Sequence, residues 1–493
     1  MMQNNQSPVF IFLVNLLLVA CVFYFPLGCK SKENPDPDPV PVKDSIGKAE
    51  QWVTCGNESK LLKKGPDLVI KSKGTDNFPV IEIDTATGLQ EIEGFGAALT
   101  GSSAYLINRK LSAAQRSALL ADLFDHSDGI GISYLRLTIG ASDFSLSDFT
   151  YNDLPSGATD FELEQFSLDQ DLDDVVPVLK EITQVNPVIK LMGSPWSAPA
   201  WMKTNQSMVG GKLKTECYDV YADYFVRYIQ EMQNQGITID AITPQNEPLY
   251  FTASYPCMEM QPEEQRDFIR DHLGPKFASS GINTRIIVYD HNWDRPDYGI
   301  TILNDQVART FIAGTAFHAY AGNVTTMSTV HNAHPDKGLY FTEISGGEWA
   351  TDFSANLMWY MENIFIGTTR NWSMVALLWN LALDETHGPQ NNGCSDCRGV
   401  ITINSGSGTV EKNEEYYALA HMSKFVRPGA VRVSAPIPQA LTNLIGVAFL
   451  NPDGSKALVI CNVATDDRVF SVKQGGKNFI YSIPAKSVAS VVW

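Results

Sequence analysis

No basic cluster interrupts this chain. Lysine and arginine number 37 against 55 aspartates and glutamates, a formal charge of −18, and a surface of that sign repels phosphate backbones, so nucleic acid is excluded as a partner. Metal-ligand spacing is equally scarce. His331 and His334, like Asp290-His291, lack a third partner at helical spacing, and Cys394-Ser395-Asp396-Cys397 is a single CxxC, so no metal site is expected. Phosphate-cradling loops are missing too: Ser405-Gly406-Ser407-Gly408 lacks the following Lys and helix and reads as a hairpin turn. No cofactor is implied, and no internal repeat is visible. What the chain does have is apolar content, 44% of 493 residues, enough for one large barrel and a smaller domain.

From Val9 to Leu27 the chain is apolar except for Asn15 and Pro26, and Gly28-Cys29 follows. This reads as an export signal over residues 1–28. Gly28-Cys29 resembles a bacterial lipoprotein box, which implies cleavage before Cys29 and a lipid on that cysteine. Pro26 stands where a leucine is usual and no Lys or Arg precedes Val9, so an uncleaved span remains the alternative. Either way an exported body is tethered to a membrane, at the cell surface or in the periplasm. Residues 29–50 are expected to be a linker, because Pro35-Asp36-Pro37-Asp38-Pro39-Val40-Pro41 cannot form helix or central strand and extends by ~3.1 Å per residue. Cys55, Cys217, Cys257, Cys394, Cys397 and Cys461 then meet an oxidising compartment. A small disulfide or two thiols fit the CxxC; the other pairings stay open.

Short apolar segments at 92–99, 133–139, 188–193, 240–246, 285–290, 314–320, 339–344 and 374–380 are each strand length. Between most of them apolar residues return every three or four positions, as at 112–124, 172–183, 218–235 and 262–279, which predicts helices. Strand and helix alternating eight times predict an α/β chain with a (β/α)8 barrel over 91–428. The flanks differ. Residues 67–84 and 430–493 are rich in Val, Ile, Ser and Gly with period-two stretches, so residues 51–90 and 429–493 are expected to join in one all-β sandwich built from both chain ends.

Barrel active sites lie at the carboxyl ends of the strands, and the polar residues gather there. The fourth segment ends in Asn246-Glu247 and the seventh in Glu343; the second carries Arg136 and runs to Asp143, the third ends in Ser194-Pro195-Trp196, the sixth in His318-Ala319-Tyr320 and the eighth in Trp379-Asn380. Two strand-end glutamates answer the need of glycoside hydrolysis for carboxyl groups on either side of one bond. Aromatic and amide neighbours suit a hydroxyl-rich ring.

At these residues the chain resembles glycoside hydrolase family 30, retaining β-glycosidases that include glucosylceramidases and β-1,6-glucanases. The likeness rests on Gly94-Phe95-Gly96-Ala97-Ala98, Ala141-Ser142-Asp143-Phe144-Ser145, the run from Ser194-Pro195-Trp196 to Trp201-Met202-Lys203, Gln245-Asn246-Glu247-Pro248 and Trp379-Asn380-Leu381-Ala382-Leu383. The resemblance implies Glu247 as acid/base and Glu343 as nucleophile. It assigns Asp143 and Trp196 to gripping the sugar. Asn246 is expected to bind a 2-OH, Arg136 and Tyr320 to stabilise ionised Glu343, and His318 to act from behind as a hydrogen-bonded support. Trp379 and Trp201 are expected near the site, whereas Glu348, Asp384 and Glu385 are outside the motifs. The roles require Glu247 to start protonated and Glu343 ionised.

Linkage is set by loops beyond the cleaved bond. Residues 388–400, with Gly388-Pro389-Gln390-Asn391-Asn392-Gly393-Cys394, resemble the β-1,6-glucanase branch more than the glucosylceramidase branch. The leading expectation is hydrolysis of an extracellular β-1,6-glucan. An exo-acting β-glucosidase or glucosylceramidase is the alternative, and a glycan-binding surface lipoprotein without catalysis is the alternative of another class.

Overall fold

The structure, a computed structural model, describes residues 45–72 and 77–493. The expected signal segment, Cys29 and the proline alternation lie outside the described residues. No helix among the described residues is long and apolar enough to cross a membrane.

Eight parallel strands close the barrel. They are β1 Gly94–Leu99, β2 Tyr134–Thr138, β3 Lys190–Ser194, β4 Ala241–Ile242, β5 Arg285–Asn292, β6 Ile312–His318, β7 Gly338–Glu343 and β8 Ser373–Asn380. All eight expected segments are present. They are legible because parallel strands buried on both faces read as continuous apolar runs, and β1, β2 and β4 are buried throughout. Glycine is required where strands approach most closely. A β-carbon on Gly96 would stand 1.8 Å from the Tyr134 carbonyl oxygen. Inside the barrel Tyr134, Met192, Ile287, Tyr340, Val375 and Leu377 fill the space, so it is a packed core and not a pore.

Helices cover the strands. Ala113–Phe124 starts at a capping box in which Ser112 and Gln115 satisfy each other's backbone N–H groups, worth about 1 kcal/mol. Its Leu119, Leu120, Leu123 and Phe124 face the barrel. The expected helix at 262–279 is interrupted: Pro262–Phe268 and Gly274–Ser279 are α-helical, but Ile269–Leu273 forms a π turn.

The sandwich draws on both chain ends. Its eleven strands form one hydrogen-bonded path of ten, with the short Lys63–Lys64 pairing off that path, and the path folds over around Ser45–Cys55. The early part of that strand pairs with Leu68–Lys71 (Ala49 opposite Leu68), and the later part pairs with Ser487–Val492 (Val53 opposite Ala489). The enclosed core includes Ile70, Ile81, Phe470, Phe479 and Val491. Among the described residues, sandwich structure reaches back to Ser45, inside the stretch expected to be linker. Its first four residues are exposed, so no apolar alternation announces them; only the pairing with a later segment makes them a strand.

The outer face of this sheet packs on the barrel through helix Glu414–Ser423. At the seam His421 is fully buried, with Nδ1 2.8 Å from Ser490 Oγ and Nε2 2.9 Å from Thr54 Oγ1. Burial alone drives its pKa down to about 3, so the imidazole bridging the two domains is neutral.

Candidate active site

Four strand ends converge on one fully buried guanidinium. Arg136, on β2, donates from Nη1 to Glu343 Oε2 at 2.5 Å, and from Nη2 to Asp290 Oδ2 at 2.7 Å and Asn246 Oδ1 at 2.6 Å. Its plane lies over Trp196 and Trp379, 5.0 and 5.6 Å from the ring centres. The two indoles stack on each other at 5.1 Å and 21°. Because Arg136 can only donate, it fixes the Asn246 carbonyl towards itself and leaves the amide N–H2 for another partner.

Glu247 follows the very short β4. Its backbone has a φ of +43°, a left-handed conformation that disfavours a side chain and costs of order 1 kcal/mol or more. Two hydrogen bonds hold it there: Glu247 N–H donates to the Asp290 carbonyl at 3.0 Å, and Tyr250 N–H donates to the Glu247 carbonyl at 2.9 Å. Glu343 ends β7, with Tyr320 Oη donating to its Oε1 at 2.9 Å. His318, ending β6 and fully buried, stands between the two acids. Its Nδ1 is 3.0 Å from Glu247 Oε1 and its Nε2 3.1 Å from Asp290 Oδ1. One oxygen from each of Glu247 and Glu343 and one His318 nitrogen lie within 4.8 Å of one another.

Asp290 is the residue that sequence reasoning missed. A register shift between Tyr289 and His291 in β5, with φ values of +75° and +65° at Tyr289 and Asp290, turns its carboxylate into the barrel as bulges do. Besides Arg136 and His318 it accepts from Ser194 at 2.7 Å, Thr243 at 2.8 Å and Thr342 at 2.6 Å. Burial opposes its charge, but Arg136, His318 and Thr342 hold its pKa well below the usual carboxylate range. The available signal was its position: it is an acid at a strand's carboxyl end, like the two glutamates.

The same neighbours set the charges. Burial works against a protonated His318, yet Glu343, Asp290 and Glu247 outweigh it and raise its pKa to about 9. Burial pushes Glu343 up, and Glu247 adds to this against the pull of His318 and Arg136, so its pKa lies above the usual value. Both its oxygens nevertheless accept from donors, Arg136 and Tyr320, which is the bonding of a carboxylate. For Glu247, burial is overcome by the His318 hydrogen bond and by the charges of His318, His291 and Arg136, and its pKa lies below the usual value. His318, with its pKa raised to about 9, stands 3.0 Å from Glu247 and keeps a proton within reach of it.

Glu247, His318 and Glu343 have the spacing of a metal cage, but a charged imidazole and a guanidinium already neutralise the acids. The donor set reads as a carboxylate pair with cationic support.

A cleft of about 520 Å³ opens above, lined by Asp143, Trp196, Asn246, Tyr320, Trp379 and both glutamates among others. Asp143 receives no hydrogen bond from a described side chain, and burial together with Glu343 raises its pKa well above the usual value. Trp201 does not line this cleft; its Nε1 donates to Asn152 at 2.8 Å and its ring packs on Phe161, because the chain turns away after Ala200. Glu348, Asp384 and Glu385 are outside it as well. The CxxC is a disulfide, Cys394 to Cys397, in the cleft wall. Cys55, Cys217, Cys257 and Cys461 are buried free thiols.

Comparison with known proteins places these features in a family. The Glycosyl hydrolase family 30 TIM-barrel domain matches residues 92–426, and the Glycosyl hydrolase family 30 beta sandwich domain matches residues 429–491. Endo-1,6-beta-D-glucanase neg1 of Aspergillus fumigatus is 36% identical over 439 residues, 83% of this chain and 86% of that protein. The Lysosomal acid glucosylceramidase of Mus musculus is 29% identical over 449 residues, 86% of this chain and 85% of that one. A solved endo-beta1,6-glucanase structure superposes with a TM-score of 0.83 at 37% identity, covering 91% of this chain and 99% of its own.

Proposed function

As a member of glycosyl hydrolase family 30, the chain is a retaining O-glycosyl hydrolase, and we propose that Glu247 and Glu343 cut β-1,6-glucan by double displacement. The carrying observation is that one oxygen of Glu247 and one oxygen of Glu343 lie within 4.8 Å of each other in one cleft. Retaining hydrolases keep their carboxyl groups about 5 to 5.5 Å apart, whereas inverting ones need roughly 6.5 to 9.5 Å for an intervening water.

In the first step Glu343 attacks C1 and the bond to the leaving oxygen breaks as Glu247 protonates it. Glu247 obtains its proton across the 3.0 Å hydrogen bond from His318 Nδ1. As C1 bonds to Glu343 the negative charge there vanishes, and with it the foremost charge holding His318 protonated, so the imidazole becomes a stronger acid when the proton is needed. Water then enters where the leaving sugar stood, Glu247 takes its proton, and the glycosyl ester on Glu343 is cleaved with retention. Asp143 accepts sugar hydroxyls, Asn246 donates to the 2-OH, and Trp196 and Trp379 form the apolar wall.

The linkage reading is supported by the 36% and 37% identities to endo-1,6-glucanases, against 29% to the glucosylceramidase. Incubation with β-1,6-glucan, laminarin and aryl β-glucosides tests it: β-1,6-oligosaccharides are expected from the first. Monosaccharide alone would favour an exo-glucosidase, and no release from any substrate would favour a binder. The apolar run and Gly28-Cys29 support an exported lipoprotein held at the cell surface or in the periplasm. Cys29→Ser should shift the protein from the membrane to the soluble fraction, and unchanged fractionation would sink the lipid on Cys29 in favour of an uncleaved span.

A further inference from the structure

Two tiers of aromatic side chains line the catalytic cleft. Trp196 and Trp379 are buried at its base, while Trp349 and Tyr250, also in its lining, stand 57% and 43% exposed at the rim. Single exposed aromatic rings are ordinary on a protein surface, but exposed rings grouped in the lining of a cleft mark a surface for binding. Both rings are held in place. The Trp349 ring rests on the backbone of Gly347, where a β-carbon would come within 2.0 Å of Cζ3. Gly347 in turn pairs with Cys397, which the disulfide to Cys394 secures. Tyr250 stacks on Tyr255 at 6.4 Å and 20°, and Tyr255 packs against the Trp196 and Trp379 cluster.

The two rings approach from different rims, since their loops follow β7 and β4 and the closed barrel places β5 and β6 between those strands. Tyr250 lies one turn beyond Glu247, the acid that protonates the leaving oxygen in the reading above, and its N–H donates to the Glu247 carbonyl. Resting on the β-glucan reading above, we propose that Trp349 and Tyr250 clamp the sugar that departs with the cleaved oxygen, and that they select a polymeric aglycone over a small one. The C–H face of a β-pyranose matches an aromatic face, and rings already immobilised lose little entropy on contact. A 1,6-link adds a rotatable methylene between sugars, so fixed faces on both sides have more freedom to remove there than in other linkages.

The test compares two substrates of the full enzyme. A β-1,6-linked glucotetraose spans the clamp, whereas β-glucosyl fluoride carries a leaving group too small to reach it. Trp349→Ala and Tyr250→Ala should each lower kcat/KM on the tetraose by about tenfold, and leave the fluoride within about twofold. Trp349→Phe should restore most of the loss. Equal losses on both substrates would assign the rings to local structure, and no loss on the tetraose would remove them from recognition; either result overturns the clamp. If the unaltered enzyme consumes the fluoride but not the tetraose, the linkage reading fails, and the same ratio on whichever β-glucan it does cut decides the clamp.

Discussion

Replacing Asp290 by Asn keeps the size of a buried group and removes its charge. Among the described residues this carboxylate is the one acid hydrogen-bonded to both Arg136 and His318, at 2.7 and 3.1 Å. An imidazole kept protonated to about 9 instead of the ordinary ~6.5 reflects roughly 3 kcal/mol of net favourable interaction. Three carboxylates share that effect against the cost of burial. Removing the Asp290 charge takes away one of those three supports and, at roughly a third of the effect, lowers the His318 pKa by about one unit. Activity needs Glu343 ionised and a proton available on the His318 and Glu247 pair. It is therefore lost on the acid side as Glu343, whose pKa is raised, takes up a proton, and on the alkaline side as His318 gives one up. The pH profile of kcat/KM for an aryl β-glucoside reads both limbs. Asp290→Asn should move the alkaline limb down by about one pH unit and lower the maximum by about tenfold to a hundredfold, as Arg136 loses its brace. Circular dichroism at neutral pH confirms folding. An alkaline limb that stays put while the variant is folded would refute the proton path through His318.

Three further outcomes follow from other parts of the molecule. His421 is neutral in the folded protein down to about 3 but titrates near ~6.5 when unfolded, so the unfolded state binds more protons; its stabilisation is complete above ~6.5 and falls by about 3 kcal/mol by pH ~4.5. Urea unfolding at the two pH values should show that loss in the natural protein, reduced in His421→Gln, whose amide does not titrate; an identical pH dependence would remove His421 from the account. Reduction of the Cys394 to Cys397 bridge, or Cys394→Ser with Cys397→Ser, should raise KM severalfold and leave kcat within about twofold, because the bridge braces the cleft wall while the two acids hang on other strands; a fall in kcat alone would contradict this. Ser112→Ala should lower the unfolding free energy by about 1 kcal/mol through loss of the helix cap, measured by urea denaturation, with activity unchanged.

What could be read in advance was whatever is local. Each barrel strand is a run of apolar residues, and Ser112 with Gln115 marks a helix start by side-chain chemistry alone. Glu247 and Glu343 were visible because strand ends put polar residues on one face. Asp290 is of the same kind, but a bulge in β5 turns it inward, and a bulge depends on how the neighbouring strands pair. Strand pairing also explains Ser45–Cys55, which gains its order from partners at Leu68–Lys71 and Ser487–Val492. The π turn at Ile269–Leu273 breaks no apolar period and leaves no mark in composition. The resting charge pattern was hidden for a related reason: it depends on three acids meeting one imidazole, and their sequence positions span β4 to β7.

The assignment of the two glutamates is tested most directly by giving the Glu343→Ala protein azide and an activated β-glucoside and determining the anomer formed. The truncated side chain leaves space beneath C1, so turnover without azide should be abolished, and azide should enter from that side to give the α-glucosyl azide. A β-glucosyl azide, or full hydrolysis by Glu343→Ala with no azide present, would contradict the assignment.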